Sequence, residues 1–321
     1  MTDFAELTDP MRPELLALCY RMLGSVHDAE DQVQEALLRA WRAYDQFEGQ
    51  SSLRTWLYRI ATNTCLRALE NRSRRPLPTG LGAPSDDPDR PLEAVRTEIP
   101  WLEPFPDTLL GGDPAAIVTS RSSMRLALIA ALQYLPPRQR AVLILRDVLQ
   151  WRAAEVAELL SVSPVAVNSL LQRAREGLRA AAPVQDELSE PADAAQRALL
   201  DQYAAAFQAA DVAGLMRLLR ADAVLEMPPY PTWFVGREHI GRFLTSHVLG
   251  AQILGEPGLY RLIPVPANGQ PAFAGYRRAA DGSYRAHMLE VLTCTPAGIS
   301  RIANFTDPRV FALTGLPQVL T

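Results

Sequence analysis

Between positions 54 and 67 the chain interleaves Arg54, Trp56, Tyr58 and Arg59, with Asn63 and Arg67 one and two helical turns further on. Aromatic rings stack on unpaired bases while guanidinium groups hold phosphates, the combination that grips a single nucleic-acid strand. A second set, Asn168, Ser169, Gln172, Arg173 and Arg175, has the side chains that hydrogen-bond base edges and phosphates in a major groove. Arg138, Arg140 and Ser163 stand ahead of it. A third set, Tyr203, Trp233, His239, His287, Asn304 and Asp307, is spread over the C-terminal part and offers groups that serve as acid, base or hydrogen-bonding partner in a pocket. A lone histidine on a strand is more often a satisfied core or rim residue, so catalysis, ligand binding and a plain interaction module all remain open for that part.

The first set needs a helix to carry it. Residues 12–23 read as a helix stopped by Gly24, and Ser25 to Asp28 supply capping chemistry for a second. Its apolar positions Val33, Leu37, Ala40, Trp41 and Tyr44 point inward at helical spacing, leaving Asp28, Glu30, Asp31, Gln34, Glu35 and Leu38 opposite. Phe47 to Ser52 (FEGQSS) is a loop, and a third helix begins near Leu53 with Trp56, Leu57, Ile60 and Ala61 inward.

The second set needs a helix-turn-helix, which residues 123–182 supply. An apolar helix leads to Pro136-Pro137, then follow Ala141–Val148, a short helix Ala153–Leu160, the turn SVS, and a long helix that Ser163 caps with Pro164 in its first position. Val167, Leu170, Leu171 and Leu178 pack inward.

Charge is distributed accordingly. All 32 basic residues are arginine, which excludes Schiff-base and lysine-phosphate chemistry but suits phosphate and guanine recognition. The net charge of −4 hides an uneven spread: residues 120–182 hold 9 Arg against 4 acids, whereas 76–119 hold 2 against 8. This latter segment is dense in Pro, Gly and Asp and reads as an extended acidic linker. A knot at Trp101, Leu102, Phe105 and Asp107 interrupts it. Cys19, Cys65 and Cys294 are odd in number and far apart, so neither a disulfide framework nor a zinc site is expected, and no cofactor. No stretch reaches the roughly 18 to 20 apolar residues of a membrane helix, and the acidic N-terminus does not read as a signal peptide. The expectation is a cytoplasmic protein that engages no membrane.

DAEDQVQEALLRAW followed by FEGQSSLRTWLYRIATNTCLRALENRSRR resembles region two of bacterial sigma-70 factors, in particular the extracytoplasmic-function (ECF) group. LPPRQRAVLILRDVLQW through VNSLLQRAR resembles region four, although many members have arginine where Leu170 stands; the spelling is nearer the subgroup with an extra C-terminal domain. The resemblance implies that Asp28, Glu30, Asp31, Gln34, Glu35 and Leu38 face the polymerase clamp, with the beta and beta-prime subunits of core RNA polymerase as partners. It implies a minus-10 reader made of Phe47, Gln50, Ser51, Ser52, Trp56, Tyr58, Arg59, Asn63 and Arg67. The minus-35 reader would use Arg138, Arg140, Ser163, Asn168, Ser169, Gln172, Arg173 and Arg175. The acidic linker would thread the polymerase active-centre and RNA-exit channel, or its aromatic knot would anchor to a neighbouring domain.

After a break at 181–193 the composition turns to Tyr, Phe, Gly and Pro. Helices Asp193–Phe207, Val212–Leu219 and Gly236–Val248 and strands from Val224, Leu259, Gln270, Tyr284 and Ile299 suit a curved antiparallel sheet with a hairpin at Asp281-Gly282. This order resembles the SnoaL-like group of the nuclear-transport-factor-two superfamily, an α+β cone. The expected organisation is therefore multidomain: region two at 1–75, linker 76–119, region four at 120–182, all α, and the cone at 192–321. The implied function is an alternative sigma factor, not an enzyme, that binds core polymerase and promoter DNA and is controlled in cis by contact with its own cone. The competing readings are a one-component regulator with a ligand-sensing cone and a small-molecule isomerase or cyclase carrying a DNA-binding appendage.

Overall fold

The computed structural model describes residues 4–47, 49, 51–70, 74–111, 122–181, 194–249 and 257–320. They form two compact units: residues 1–75 with 109–184, and residues 76–108 with 185–321.

The first unit is helical. After the short α1 (Phe4–Thr8), α2 (Arg12–Leu23) ends at Gly24, whose φ of 70° lets its N–H reach Tyr20 O as an αL cap. Ser25 Oγ accepts from the Asp28 N–H and starts α3 (Val26–Ala43); Ser52 Oγ accepts from the Thr55 N–H and starts α4 (Leu53–Leu69). Leu15, Leu18, Tyr20, Met22, Val33, Ala36, Leu57 and Ala61 make the core, which also seals in Cys19 and Cys65. Burial raises the Cys65 thiol pKa well above its usual value, which keeps it protonated and inert. The second half of the unit holds α5 (Leu126–Leu132), α6 (Pro137–Leu143) continued by a π-turn over Ile144–Val148, α7 (Ala153–Leu160) and α8 (Pro164–Ala181). Glu155 reaches back to the Arg152 N–H at 2.7 Å to start α7. Ser161, at φ 54°, makes the turn, and Ser163 Oγ accepts from the Ala166 N–H to start α8.

The second unit packs α9 (Ala194–Gln208), α10 (Val212–Leu218) and α11 (Arg237–Phe243, extended by a π-turn over Leu244–Val248) into a curved sheet. Its strands are β1 (Leu219–Glu226), β2 (Trp233–Val235), β3 (Tyr260–Pro264), β4 (Ala272–Arg278), β5 (Tyr284–Thr295), β6 (Gly298–Phe305) and β7 (Val319–Leu320). They run in the order β2-β1-β6-β5-β4-β3, with β7 paired to β5. The sheet is mixed rather than wholly antiparallel as expected, because β6 lies alongside β1 in the same direction while β3, β4, β5 and β6 pair antiparallel in succession. Gly298, at φ 117°, closes the β5–β6 turn where a Cβ would stand 2.7 Å from Leu218 O, so no other residue fits. Tyr203, Phe207, Leu225, Phe234, Phe243, Phe273, Leu292 and Ile302 fill the cone. The sequence did not suggest β2, β7 or α12 (Pro308–Ala312), and β1 begins at Leu219 rather than Val224.

Residues 76–108, read from the sequence as an extended linker with an anchoring knot, belong to the same compact unit as the cone. They lie as a strap along the cone, with Leu77, Leu102 and Phe105 buried. Asn268 takes φ 57° and Gly269 φ 63°, a turn whose outward amides are offered to the strap. The Phe105 N–H donates to Asn268 Oδ1 at 2.9 Å, the Asn268 N–H to Phe105 O at 2.7 Å, and the Gly269 N–H to Asp107 Oδ1 at 2.9 Å. Further along, Ser246 donates to Asp89, Arg242 pairs with it, and the Trp233 indole N–H donates to Gly82 O at 3.1 Å. Phe105 and Leu102 are the anchors of the knot; Trp101 is half-buried and its indole N–H donates to Arg96 O within the strap.

Candidate nucleic-acid interface and C-terminal cone

The acidic face of α3 is solvent-exposed at Glu30, Asp31, Gln34 and Leu38. Asp28 is half-buried and paired with Arg75, and Glu35 is paired with Arg39. Trp41, expected inward, is 63% exposed. Its spacing from Asp31, Gln34 and Leu38 puts all four on one face, because i, i+3, i+7 and i+10 lie within about one helical stripe. Trp41 and Leu38 thus leave an exposed apolar patch in the acidic face of the helix, and the reading of Trp41 as an inward residue is corrected accordingly.

On α4, Asn63 and Arg67 are exposed and Arg59 is half-exposed. Phe47 lies 4.8 Å from Trp56, ring centroid to ring centroid, with the rings tilted by 31°, so the loop's aromatic residue packs against the helix start. Ser51 is exposed, Ser52 serves as the helix cap, and Gln50 lies outside the described residues. Tyr58 is corrected: it is 1% exposed and donates to Glu14 Oε2 at 2.9 Å, so it belongs to the core and not to a base-stacking surface. Burial and the adjacent Glu14 carboxylate raise its phenol pKa. Its register explains this, since it follows Leu57 and precedes Ala61 and Cys65 on the buried side.

The two halves of this unit touch along that helix. Arg59 donates to Glu158 Oε1 at 2.8 Å and to Glu158 O at 3.3 Å, and the Tyr58 and Trp151 rings are 5.7 Å apart. Asn63, Arg67, Glu70, Pro136, Pro137 and Arg138 border an open groove of about 550 Å³. Arg140 is corrected as well. It is 3% exposed, donating to Gln133 Oε1 at 2.9 Å, Gln133 O at 3.1 Å, Leu135 O at 3.2 Å and also to Met22 O, so it ties the approach to α6 together instead of facing DNA. Burial pulls its guanidinium pKa down to about 10.

On α8, Asn168, Ser169, Gln172, Arg173 and Arg175 are all exposed, with Val167, Leu171 and Ala174 buried beneath. Gln172 donates to Glu176 at 3.0 Å and Arg173 to Ser169 O at 3.3 Å, contacts that water or a base edge can replace. Arg175 grips Asp147 with two hydrogen bonds of 2.9 and 2.7 Å, and Ser163 is the helix cap.

In the cone the six expected pocket residues divide. Asp307 caps α12 by accepting from the Arg309 N–H, His239 bonds Val235 O through Nδ1, and Trp233 holds the strap. His287 is mostly buried, its ring 5.8 Å from Tyr260, and burial together with the Arg277 charge lowers its pKa. Only Tyr203 and Asn304 converge, and they do so on Glu290, which sequence reasoning missed: Tyr203 donates to Oε2 and Asn304 Nδ2 to Oε1, each at 3.2 Å. Glu290 is 2% exposed, and burial pushes its carboxyl up to about 7 against the opposing Tyr203 hydrogen bond. The available signal was a lone acid inside the apolar run MLEVLTC. Glu226, fully buried at the end of β1, is paired with Arg301 at 2.5 Å and accepts from Thr79 of the strap.

A helix with acidic and apolar residues for docking, an aromatic and arginine-edged helix, and a helix-turn-helix with an open polar face on one chain define a sigma-70-type initiation factor. Residues 7–75 match Sigma-70 region 2, residues 125–178 match Sigma-70, region 4, and residues 195–252 match the Nuclear transport factor 2 (NTF2) domain. The chain is 53% identical over 320 residues to the ECF RNA polymerase sigma factor SigG of Mycobacterium tuberculosis, covering 99% of this chain and 85% of that one. It is 30% identical to SigW of Bacillus subtilis over 55% of this chain and 87% of that protein. The crystal structure of Mycobacterium tuberculosis SigJ has the same fold, with a TM-score of 0.63 at 24% identity over 98% of this chain and all of that one. The chain belongs to the ECF RNA polymerase sigma factors. It is an alternative sigma factor with a fused NTF2-like domain, a transcription initiation factor and not an enzyme; core RNA polymerase and promoter DNA are the partners this family implies. Among the described residues, no single helix is long and apolar enough to cross a membrane.

Proposed function

We propose that this sigma factor works in the cytoplasm and is controlled in cis by its cone, which holds the connection between the two promoter readers. The observation that carries this reading is the clamp at Phe105, Asp107, Asn268 and Gly269. Residues 76–108 join region two to region four, so region four can take up its position on a polymerase-bound promoter only if this segment is free to run between them. A strap held by the buried Leu77, Leu102 and Phe105 and a ladder of hydrogen bonds is not free. Within the sigma unit, the Glu158 carboxylate occupies Arg59, where a phosphate of the melted strand would bind.

The division of labour follows the exposed surfaces. Asp31, Gln34, Leu38 and Trp41, with Glu30 and Glu35, dock on the beta-prime clamp, and the region-four half engages the beta subunit. Asn63, Arg67 and Arg59, with Phe47, Ser51 and Trp56, take the non-template minus-10 strand once Glu158 is displaced. Asn168, Ser169, Gln172 and Arg173 read the minus-35 duplex, with Arg138 on the backbone. Run-off transcription with core polymerase, comparing the full chain with one lacking residues 192–321, tests the cis control. Truncation should change transcript yield; unchanged yield and unchanged amide protection of the strap would end this reading.

A further inference from the structure

We propose that the cone binds a slender, predominantly apolar molecule through one hydroxyl group, whose hydrogen is accepted by Asn304 Oδ1 and whose oxygen rests against the Glu290 carboxyl. This rests on the cone alone and is independent of any control over the sigma unit.

Asn304 uses its amide unevenly. Nδ2 donates to Glu290 Oε1 and to Met288 Sδ, both at 3.2 Å, while Oδ1 on the same amide is buried and receives no hydrogen bond from any described residue. A buried acceptor without a donor costs roughly 1 to 3 kcal/mol, which an incoming donor would recover. Beside it, among the described residues, Glu290 is held only by the neutral donors Tyr203 and Asn304. Burial of the carboxyl carries a desolvation cost that two neutral hydrogen bonds only partly offset.

The chemistry of the occupant follows from these two groups. With a carboxyl pKa of about 7, both protonation states of Glu290 are populated near neutrality. A hydroxyl accepts from the protonated form while donating to Asn304 Oδ1, and turns its hydrogen to the carboxylate when Glu290 is ionised. A carboxylate ligand would meet like charge in an environment that hardly screens it, and an ammonium ion would lose its hydration to pair with a carboxyl that is ionised only part of the time. Leu225, Ile240, Phe243, Leu244 and Ile302 offer only carbon along the walls, so the remainder of the ligand is hydrocarbon. The cavity is about 20 Å³, room for one hydroxyl-sized group. The ligand body must therefore displace side chains, for which the unbranched Met227 on the wall is suited, and a straight chain asks for less displacement than a ring.

The test is fluorine NMR of the full-length chain with trifluoromethyl-terminated hexanol, hexylamine and hexanoate. The alcohol should bind saturably with a Kd of about 1 mM or tighter. The amine and the carboxylate should bind at least about tenfold more weakly, and Asn304→Leu should weaken the alcohol by at least about tenfold. Leu225→Phe, which fills the cavity, should abolish alcohol binding without lowering the melting temperature, and it decides the matter should Asn304→Leu not fold. The proposal is overturned if the alcohol does not saturate, if either charged probe matches it, or if the substitution that folds leaves alcohol affinity unchanged.

Discussion

Phe105→Ala tests the strap more sharply than truncation does, because it leaves every domain present. Phe105 is fully buried, and its backbone exchanges two hydrogen bonds with Asn268. Phenylalanine-to-alanine changes in cores cost about 3 to 5 kcal/mol. The lower figure applies to a strap that can settle onto its support, and the backbone hydrogen bonds survive. A loss of about 3 kcal/mol multiplies the released population by roughly 100, at 1.4 kcal/mol per factor of ten. Amide hydrogen exchange reads that population directly at the Asp107, Asn268 and Gly269 N–H groups, which are closed by Pro266 O, Phe105 O and Asp107 Oδ1. Exchange there should accelerate about 100-fold, exchange in the α2 and α3 core should not change, and Phe105→Leu should stay near wild type. Run-off transcription by Phe105→Ala should approach that of the chain lacking residues 192–321. Accelerated exchange with wild-type transcription would refute strap control while leaving the clamp intact as a structural fact, and unaltered exchange would refute the clamp's energetics.

Asn63→Ala should reduce promoter opening, read by permanganate footprinting, with an unchanged response to minus-35 substitutions, whereas Gln172→Ala or Arg173→Ala should weaken promoter capture by about 1 to 3 kcal/mol where a base edge is contacted. Arg140→Ala should lower stability by at least about 2 kcal/mol in thermal denaturation, because the Gln133 and Leu135 carbonyls lose their buried donor; a normal melting temperature with lost DNA binding would instead make it a reader. Glu158→Ala should free Arg59 and increase the salt dependence of single-strand binding, with a stability change of no more than about 1 kcal/mol for so exposed a pair. Glu290 carries a pH prediction. Its folded pKa of about 7 lies above the ordinary 4.5, so the folded state binds the extra proton, and its contribution to stability is full below 4.5 and lost as pH rises to 7. The shift corresponds to about 3 kcal/mol, so denaturant titrations of Glu290→Gln should show a flatter profile over that window and greater stability above it.

Much of this was readable beforehand where a local rule acts alone. Gly24 as a stop, Ser25 and Ser163 as caps, Pro164 in the first turn and Asp281-Gly282 as a hairpin each depend on a few neighbouring atoms. The failures share one cause, that the burial of a polar or aromatic side chain is settled by what folds against it. Tyr58 and Arg140 have residue types suited to nucleic acid, yet each is buried against a partner supplied by a distant segment, Glu14 in one case and Met22 O in the other. Trp41 went the opposite way, an aromatic residue left in solvent because none of the described residues covers that face of α3. The strap's Pro, Gly and Asp content describes a segment with no regular structure and its aromatic knot an anchor, but neither says where the anchor lands; Asn268, some 160 positions away in the sequence, holds it. Glu290 was passed over because an acid in an apolar strand looks like an interruption until Tyr203 and Asn304 are seen to face it.

The strap also fixes what polymerase must supply. A partner can shift the strap between held and released forms only by the difference in its affinity for the two. Core polymerase that binds only the released form therefore forfeits the whole cost of release, and its apparent affinity falls by the fraction of chains that are open. Phe105→Ala, by raising that fraction, should tighten core binding by up to the same factor as it accelerates exchange at Asp107. The two factors are measured independently, one on the free chain and one by titration with core enzyme, and under strap control they must agree until the released form predominates. If core affinity rose without matching exchange, the lost contact would lie in the polymerase complex itself; if exchange rose alone, the strap would be compatible with polymerase as it stands and the cone's influence would have to run through another surface.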